Sequence, residues 1–211
     1  MNPNPVAYFD VLVIVDRLQR RVEMVSSQEV HLFAYLACLL FLYRGNATSD
    51  WGYVLASTTD GYPFAADLDM AFELLAKTGM LSATDSASAY VRITDLGREE
   101  METLSSLSQN RARLPYLDGA CGAALALPMR TVKDALLHDP ELGKAAQLSA
   151  SKILFDGPGM EALHEHFSAL SDGLGLTVGD LTIPAVVWLS FIEQSTGALR
   201  RAEEEEPHAS N

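Results

Sequence analysis

A long apolar run constrains the fold more than any other feature of this chain. Residues 30–43 read VHLFAYLACLLFLY, with His31 as the most polar side chain. Ser26 and Glu29 stand three apart before the run, which is the pattern of a capping box, and Gly45 follows it as a stop signal. Fourteen residues are too few to cross a bilayer. Because such a helix is apolar almost all round, the run predicts the central core helix of a globular protein.

The charge balance limits the kinds of partner. The chain has 211 residues and a formal net charge of −13. Residues 1–110 hold 14 acids and 7 bases, residues 111–202 hold 10 and 8, and Glu203 to Glu206 add four acids. Binding to nucleic acid depends largely on Lys and Arg side chains that release counterions from phosphates. The excess of acids therefore argues against direct nucleic-acid binding, most strongly for the first half.

Residues 63–79 predict an amphipathic helix with an acidic outer face. Pro63 suits the first turn, and Gly79 ends the pattern. The apolar residues repeat every three or four positions: Phe64, Leu68, Phe72, Leu75 and Ala76. The charged residues are three acids and one base: Asp67, Asp69, Glu73 and Lys77.

The segment after Gly79 predicts a β-hairpin and another helix. Met80 begins a strand, residues 84–89 are small and polar enough for a loop, and residues 90–94 alternate as the return strand. Thr94 can then cap a helix that starts at Asp95.

This order of elements, with the segment GML…YVRITDLGREEMETL, resembles the winged-helix superfamily over about residues 26–107. The TDLGRE turn is the most specific part of the likeness. The resemblance implies a mainly α fold: a winged helix-turn-helix with a small β-hairpin wing, followed by a helical C-terminal part. We therefore expect a winged-helix domain with an N-terminal helix at 1–108, a helical region at 109–200 and a disordered acidic tail at 201–211.

The charge of the predicted reading helix departs from the usual winged-helix regulator, which presents Arg, Lys, Ser, Thr or Asn there. Here the helix presents acids, and the loop at 84–89 adds Asp85. The sequence therefore predicts a non-catalytic subunit that binds another protein within a multi-protein assembly. The chain is also similar, more loosely, to the accessory (middle) subunits of bacterial three-component systems built around an SMC- or Rad50-like ATPase, several of which act in antiviral defence.

Two groups of residues are the predicted partner-binding site. Asp67, Asp69 and Glu73 would select a basic partner surface by charge. Trp51 and Tyr53 lie in a glycine-flanked connection, and we expect them to be exposed as an aromatic anchor.

An alternative reading is a transcriptional regulator that binds DNA as a dimer. Its phosphate contacts would come from the basic side chains near the predicted reading helix and after it: Lys77, Arg92, Arg111 and Arg113. A small-molecule sensor with a pocket under the last helix is a third possibility.

The residues that could carry catalysis do not form a recognisable motif. The chain has no glycine-rich phosphate loop and no nucleophile elbow. His164 and His166 point about 200° apart on a helix, so they do not form a zinc pair. Cys38 and Cys121 lie among apolar residues, as buried free thiols do in a reducing compartment. We expect a cytoplasmic protein that is not an enzyme and has no cofactor, no metal and no membrane contact.

Overall fold

The computed structural model describes residues 3–83, 90–148, 151–157, 159–175 and 179–205, and it is mainly helical, as predicted. The helices are α1 (Pro5–Leu18), α2 (Ser27–Tyr43), α3 (Ala66–Lys77), α4 (Asp95–Ser105), α5 (Ser108–Arg111), α6 (Leu114–Ala126), α7 (Met129–Leu137), α8 (Leu142–Leu148), α9 (Gly159–Leu174) and α10 (Thr182–Glu205). The strands are β1 (Val25–Ser26), β2 (Ala56–Ser57), β3 (Pro63–Phe64), β4 (Leu81–Ala83), β5 (Tyr90–Ile93) and β6 (Lys152–Ile153).

Helix α2 lies at the centre of the core, as its apolar composition predicts. The capping box is present: Ser26 Oγ accepts from the Glu29 amide at 3.2 Å, and Glu29 Oε2 accepts from the Ser26 amide at 2.9 Å. Every side chain from Val30 to Leu40 is buried, because α1, α3, α6 and α9 pack around the helix. This accounts for its lack of a polar face.

A three-stranded antiparallel sheet adjoins α1 and α3. Its strand order is β1-β5-β4, with Val91 opposite Val25 and Ala83. The pairing of β4 with β5 is the predicted hairpin. The loop between them, residues 84–89 with Asp85, lies outside the described residues.

The predicted start of the third helix at Pro63 is wrong. Pro63 and Phe64 form β3, which pairs with β2, and α3 begins at Ala66. The second sheet has the order β3-β2-β6, so Pro63 is on an edge strand, where its missing N–H breaks no ladder. The predicted core face of α3 is otherwise present, since Leu68, Phe72 and Leu75 are buried.

The TDLGRE turn joins the first sheet to α4. Thr94 Oγ1 accepts from the Gly97 amide at 3.2 Å, which is the predicted cap, and donates to the Met80 carbonyl at 3.0 Å. Gly97 lies directly against that carbonyl, and a Cβ there would also be 2.8 Å from Ile93 Cγ1. The turn therefore requires glycine because α4 packs too close to β4 and β5 for any side chain.

We expect Gly97→Ala to lower the free energy of unfolding by about 1–3 kcal/mol, because the added methyl group overlaps backbone. Gly173→Ala is the matched control, since a Cβ there meets no described atom within 4 Å. The control should leave stability unchanged or raise it by up to about 1 kcal/mol. Urea unfolding of both variants measures the difference, and equal effects would contradict the packing described for the turn.

The C-terminal helices pack on the same core as the N-terminal ones. Helix α6 contacts α1, α2 and α10, so the core continues across the boundary predicted at residue 108. Helix α10 includes residues 201–205, for which the sequence predicted disorder; residues 206–211 are outside the described part. Of the helices that the structure describes, none is both long and apolar enough to cross a membrane.

Candidate protein-interaction surface

The outer face of α3 is the surface opposite its core-facing side chains. We define the α3 outer face as five residues: Asp69, Met70, Glu73, Leu74 and Lys77. Glu73 and Lys77 are exposed and form an ion pair with 3.0 Å between Oε2 and Nζ. Asp67 lies to one side, where it accepts a hydrogen bond from Asn4 Nδ2 at 3.2 Å. Of the three predicted acids, Asp69 and Glu73 therefore belong to this face, and Asp67 contacts the start of α1.

Two apolar side chains on this face were not predicted as part of a site. Met70 is 37% exposed and Leu74 is half-buried. Together with Pro3, Glu73 and Lys77 they line a shallow cavity of about 210 Å³. Met70 and Leu74 are four residues apart and lie on the side of α3 away from Leu68 and Phe72. This spacing is the sequence signal from which they could have been predicted.

Two of the cations in the DNA-binding alternative lie beside carboxylates. Lys77 pairs with Glu73, and Arg92 Nη2 lies 3.1 Å from Glu23 Oε1. Arg111 is exposed and donates to the Ser106 carbonyl at 3.2 Å. Lys77 and Arg92 therefore each lie beside a carboxylate, which weakens their attraction to phosphate.

Arg113 is buried, so its predicted contact with phosphate is wrong. Its Nε and Nη2 lie 2.9 and 2.5 Å from the two carboxylate oxygens of Asp10, which has no exposed surface. Its Nη1 donates to the Trp51 carbonyl at 2.6 Å. Burial raises the pKa of Asp10, and the Arg113 guanidinium opposes that rise. The pair joins α1 to the residue before α6.

Trp51 and Tyr53 are buried, so the prediction that they form an exposed aromatic anchor is wrong. Trp51 has no exposed surface and Tyr53 is 8% exposed. The Arg113 guanidinium carbon lies 3.7 Å from the centre of the Trp51 ring, and the Tyr53 hydroxyl donates to Asp10 at 2.8 Å. The two aromatics enclose the Asp10–Arg113 pair and keep water from it.

A second buried polar cluster holds two carboxyl groups, Asp139 and Glu141, which the sequence did not predict as part of a site. Asp139 Oδ1 accepts from the Tyr35 hydroxyl at 3.1 Å and from the Glu141 and Leu142 amides at 2.7 and 3.1 Å. Burial is the main cause that raises the pKa of Asp139 to about 7. Glu141 Oε2 accepts a hydrogen bond from the Phe155 amide at 3.2 Å. Phe155 itself has a φ of 65°. The cluster ties α2 and α8 to the segment after β6.

An open cavity of about 480 Å³ lies between the chain at 48–55 and the chain at 153–156. Cys38 and Tyr53 line its inner side. Burial raises the pKa of the Cys38 thiol, and a neutral thiol is a weak nucleophile. Cys38 is therefore not an activated nucleophile in this cavity.

Comparison of the chain with protein-family models, with curated proteins and with solved structures finds no match in any of the three. The surfaces and contacts of the chain are the remaining guide to its function. Among these, the α3 outer face combines two acids and one lysine with an apolar cavity. That combination fits a polypeptide partner better than a nucleic acid.

Proposed function

We propose that this chain is a non-catalytic, winged-helix protein-interaction subunit of a multi-protein assembly, and that its α3 outer face binds a basic surface of another protein. One observation carries the proposal. The helix that the resemblance would assign to DNA reading carries Asp69 and Glu73, and its lysine, Lys77, is ion-paired with Glu73. Phosphates would be repelled by this face, whereas a surface rich in Lys and Arg would be attracted to it.

The winged-helix part of the proposal is supported by the order of elements. The antiparallel pair β4–β5 follows α3 directly, and α4 starts at the TDLGRE turn. Strand β1 adds a third strand beside β5. A helix followed by an antiparallel strand pair and a further helix is the order that the resemblance implies, and this supports the proposal.

The α3 outer face offers two kinds of contact to a protein. Met70 and Leu74 can receive an apolar side chain in the cavity of about 210 Å³. Asp69 and Glu73 can pair with Lys or Arg around it. An apolar centre with a charged rim is the usual composition of a protein interface.

The looser resemblance to accessory subunits suggests the class of assembly. An SMC- or Rad50-like ATPase of a bacterial defence system is the partner class that it implies. The acidic, apolar-centred face is compatible with that role, which co-purification can test.

Capture of partners from the native host by the tagged full chain, after nuclease treatment, tests the proposal. Asp69→Lys/Glu73→Lys reverses the charge of the α3 outer face and spares Asp67, which contacts Asn4. Glu99→Lys/Glu102→Lys makes the same charge change at exposed positions of α4 and is the control. We expect a partner recovered by the wild type and the control to fall about tenfold or more with the α3 variant, as measured by quantitative mass spectrometry.

Circular dichroism establishes that both variants are folded before capture. Equal recovery with both variants would remove the α3 outer face from the proposal. Recovery of a stable partner without any ATPase subunit would remove the ATPase class and leave the protein-interaction role.

The geometry gives the DNA-reading alternative little support. Arg113 is buried against Asp10, and Lys77 and Arg92 each lie beside a carboxylate. Arg111 is exposed, and of the four predicted cations it is the one left accessible to a phosphate without a carboxylate partner among the described residues.

A further inference from the structure

Helices α9 and α10 form an apolar groove on another part of the surface. Its volume is about 310 Å³. The floor is Trp188, which is 3% exposed, and one wall consists of Val187 and Phe191, which are 40% and 48% exposed. His166, Ala169 and Leu170 of α9 line the other wall.

The exposed apolar side chains continue along α10 as a stripe. Ile183 is 48% exposed and stands one turn before Val187, which stands one turn before Phe191. With a rise of about 1.5 Å per residue, the stripe is about 12 Å long. An apolar strip of this length along a groove matches about two turns of an amphipathic helix, which inserts side chains at the same spacing.

The stretch of chain that forms the groove is acidic, and the nearest basic residues of α10 in the sequence are Arg200 and Arg201. Residues 159–196 contain five acids and neither Lys nor Arg. Glu165 lines the groove itself. The basic side chains of the adjoining helix α7 already have partners, because Arg130 pairs with Asp134 and Lys133 with Glu29. A cationic occupant is therefore favoured, whereas a second copy of this chain would bring the same acids and be repelled.

Two polar atoms in the groove lack partners. Trp188 Nε1 and His166 Nδ1 are buried and make no hydrogen bond to any part of the chain that the structure describes. His166 packs edge-on against Phe191, with 5.2 Å between the ring centres. A buried polar atom without a partner is costly.

We propose that the α9–α10 groove binds an amphipathic helix of another polypeptide, with aliphatic residues on one face and Lys or Arg beside them. The groove is separate from the α3 outer face. The proposal goes beyond the function proposed above and does not depend on it.

A titration of the full chain with synthetic helical peptides tests the groove. The probe is a Leu/Lys peptide of about 16 residues in an amphipathic pattern, long enough to form a helix. A Leu/Glu peptide with the same apolar pattern is the comparison. We expect saturable changes in the nuclear magnetic resonance signals of the Trp188 indole N–H and the Val187 methyl groups. The affinity for the Leu/Glu peptide should be lower by about tenfold or more.

Variants distinguish the groove from general attraction to an acidic protein. Val187→Ser/Phe191→Ser should lower the affinity for the Leu/Lys peptide by about tenfold or more. Leu96→Ser, at a 52% exposed apolar position on α4, should leave binding unchanged. Asp69→Lys/Glu73→Lys should also leave it unchanged, so failure of the α3 proposal and failure of this one are separable. The indole signal of the buried Trp51 reports that each variant is folded.

Several results would overturn the proposal. They are the absence of saturable change, equal affinity for the Leu/Lys and Leu/Glu peptides, or no effect of Val187→Ser/Phe191→Ser. Sedimentation that shows a dimer lost in this variant would assign the groove to a second copy. Binding of free indole as tight as that of the peptide would assign it to a small apolar molecule.

Discussion

Replacing Arg113 with methionine is expected to lower the free energy of unfolding by about 3–5 kcal/mol. Methionine keeps much of the apolar volume that packs on Trp51, but it removes the charge that neutralises Asp10. Asp10 has no exposed surface, so its carboxylate would remain buried without a cation. Because small proteins are stable by only about 5–15 kcal/mol, this loss should be evident in urea unfolding.

Two further variants separate charge from packing. Arg111→Met changes an exposed arginine two positions earlier and should alter stability by less than about 0.5 kcal/mol. Asp10→Asn/Arg113→Met removes both charges and should be more stable than Arg113→Met alone, because no unpaired charge is left buried. A double variant that is as unstable as the sum of its two single changes would contradict this account.

The second large effect is a pH dependence that Asp139 introduces. Its folded-state pKa is raised to about 7, whereas an unfolded aspartate titrates near 3.9. Between these values the folded chain holds a proton that the unfolded chain has released. The contribution of Asp139 is therefore greatest at low pH and is lost as the pH rises towards 7, by up to about 4 kcal/mol.

Asp139→Asn should remove this loss. The asparagine Oδ1 can still accept from the Tyr35 hydroxyl and the Glu141 and Leu142 amides. The difference in unfolding free energy between the variant and the wild type should grow in favour of the variant from pH 4 to pH 7, and then stay constant. Urea unfolding at pH 5, 6, 7 and 8 measures it.

The control for this measurement is an aspartate at the surface. Asp156→Asn changes an exposed carboxyl group, and its difference from the wild type should stay flat over the same range. Glu141→Gln should narrow the pH range over which the stability contribution of Asp139 is lost. The reason is that the Glu141 charge is one of the causes that raise the pKa of Asp139. A flat difference for Asp139→Asn would show that its carboxyl group titrates normally in the folded chain.

The features predicted correctly from the sequence are those set by near neighbours in the chain. Helix α2 follows from an unbroken apolar run with a capping box, Ser26 to Glu29, at its start. The cap of α4 follows from Thr94 and Gly97 in one short turn. In both cases the residues that determine the structure lie within a few positions of one another.

The features predicted wrongly depend on distant partners. Trp51 and Tyr53 are buried because Arg113, about sixty residues later, supplies a cation that stacks on one and shares Asp10 with the other. Pro63 became part of a strand because Ala56 and Ser57 pair with its segment. Periodicity within a segment carries no information about such pairings.

The candidate surfaces were partly accessible to sequence reasoning. Asp69 and Glu73 follow from the helical period of α3, and the structure adds Met70 and Leu74 beside them. A pocket under the last helix was one possibility from the sequence, but the sequence does not reveal which neighbour leaves Val187 and Phe191 uncovered. Both surfaces lie among acids, so basic polypeptides are the common requirement of the two proposals.

The α3 outer face is proposed to repel a duplex and attract a basic protein. Fluorescence anisotropy of a labelled mixed-sequence DNA duplex, titrated with the full chain at about 150 mM salt, tests this most directly. We expect no saturable binding. Saturable binding with a submicromolar Kd, weakening steeply with added salt and lost in Lys77→Ala/Arg92→Ala, would contradict the account.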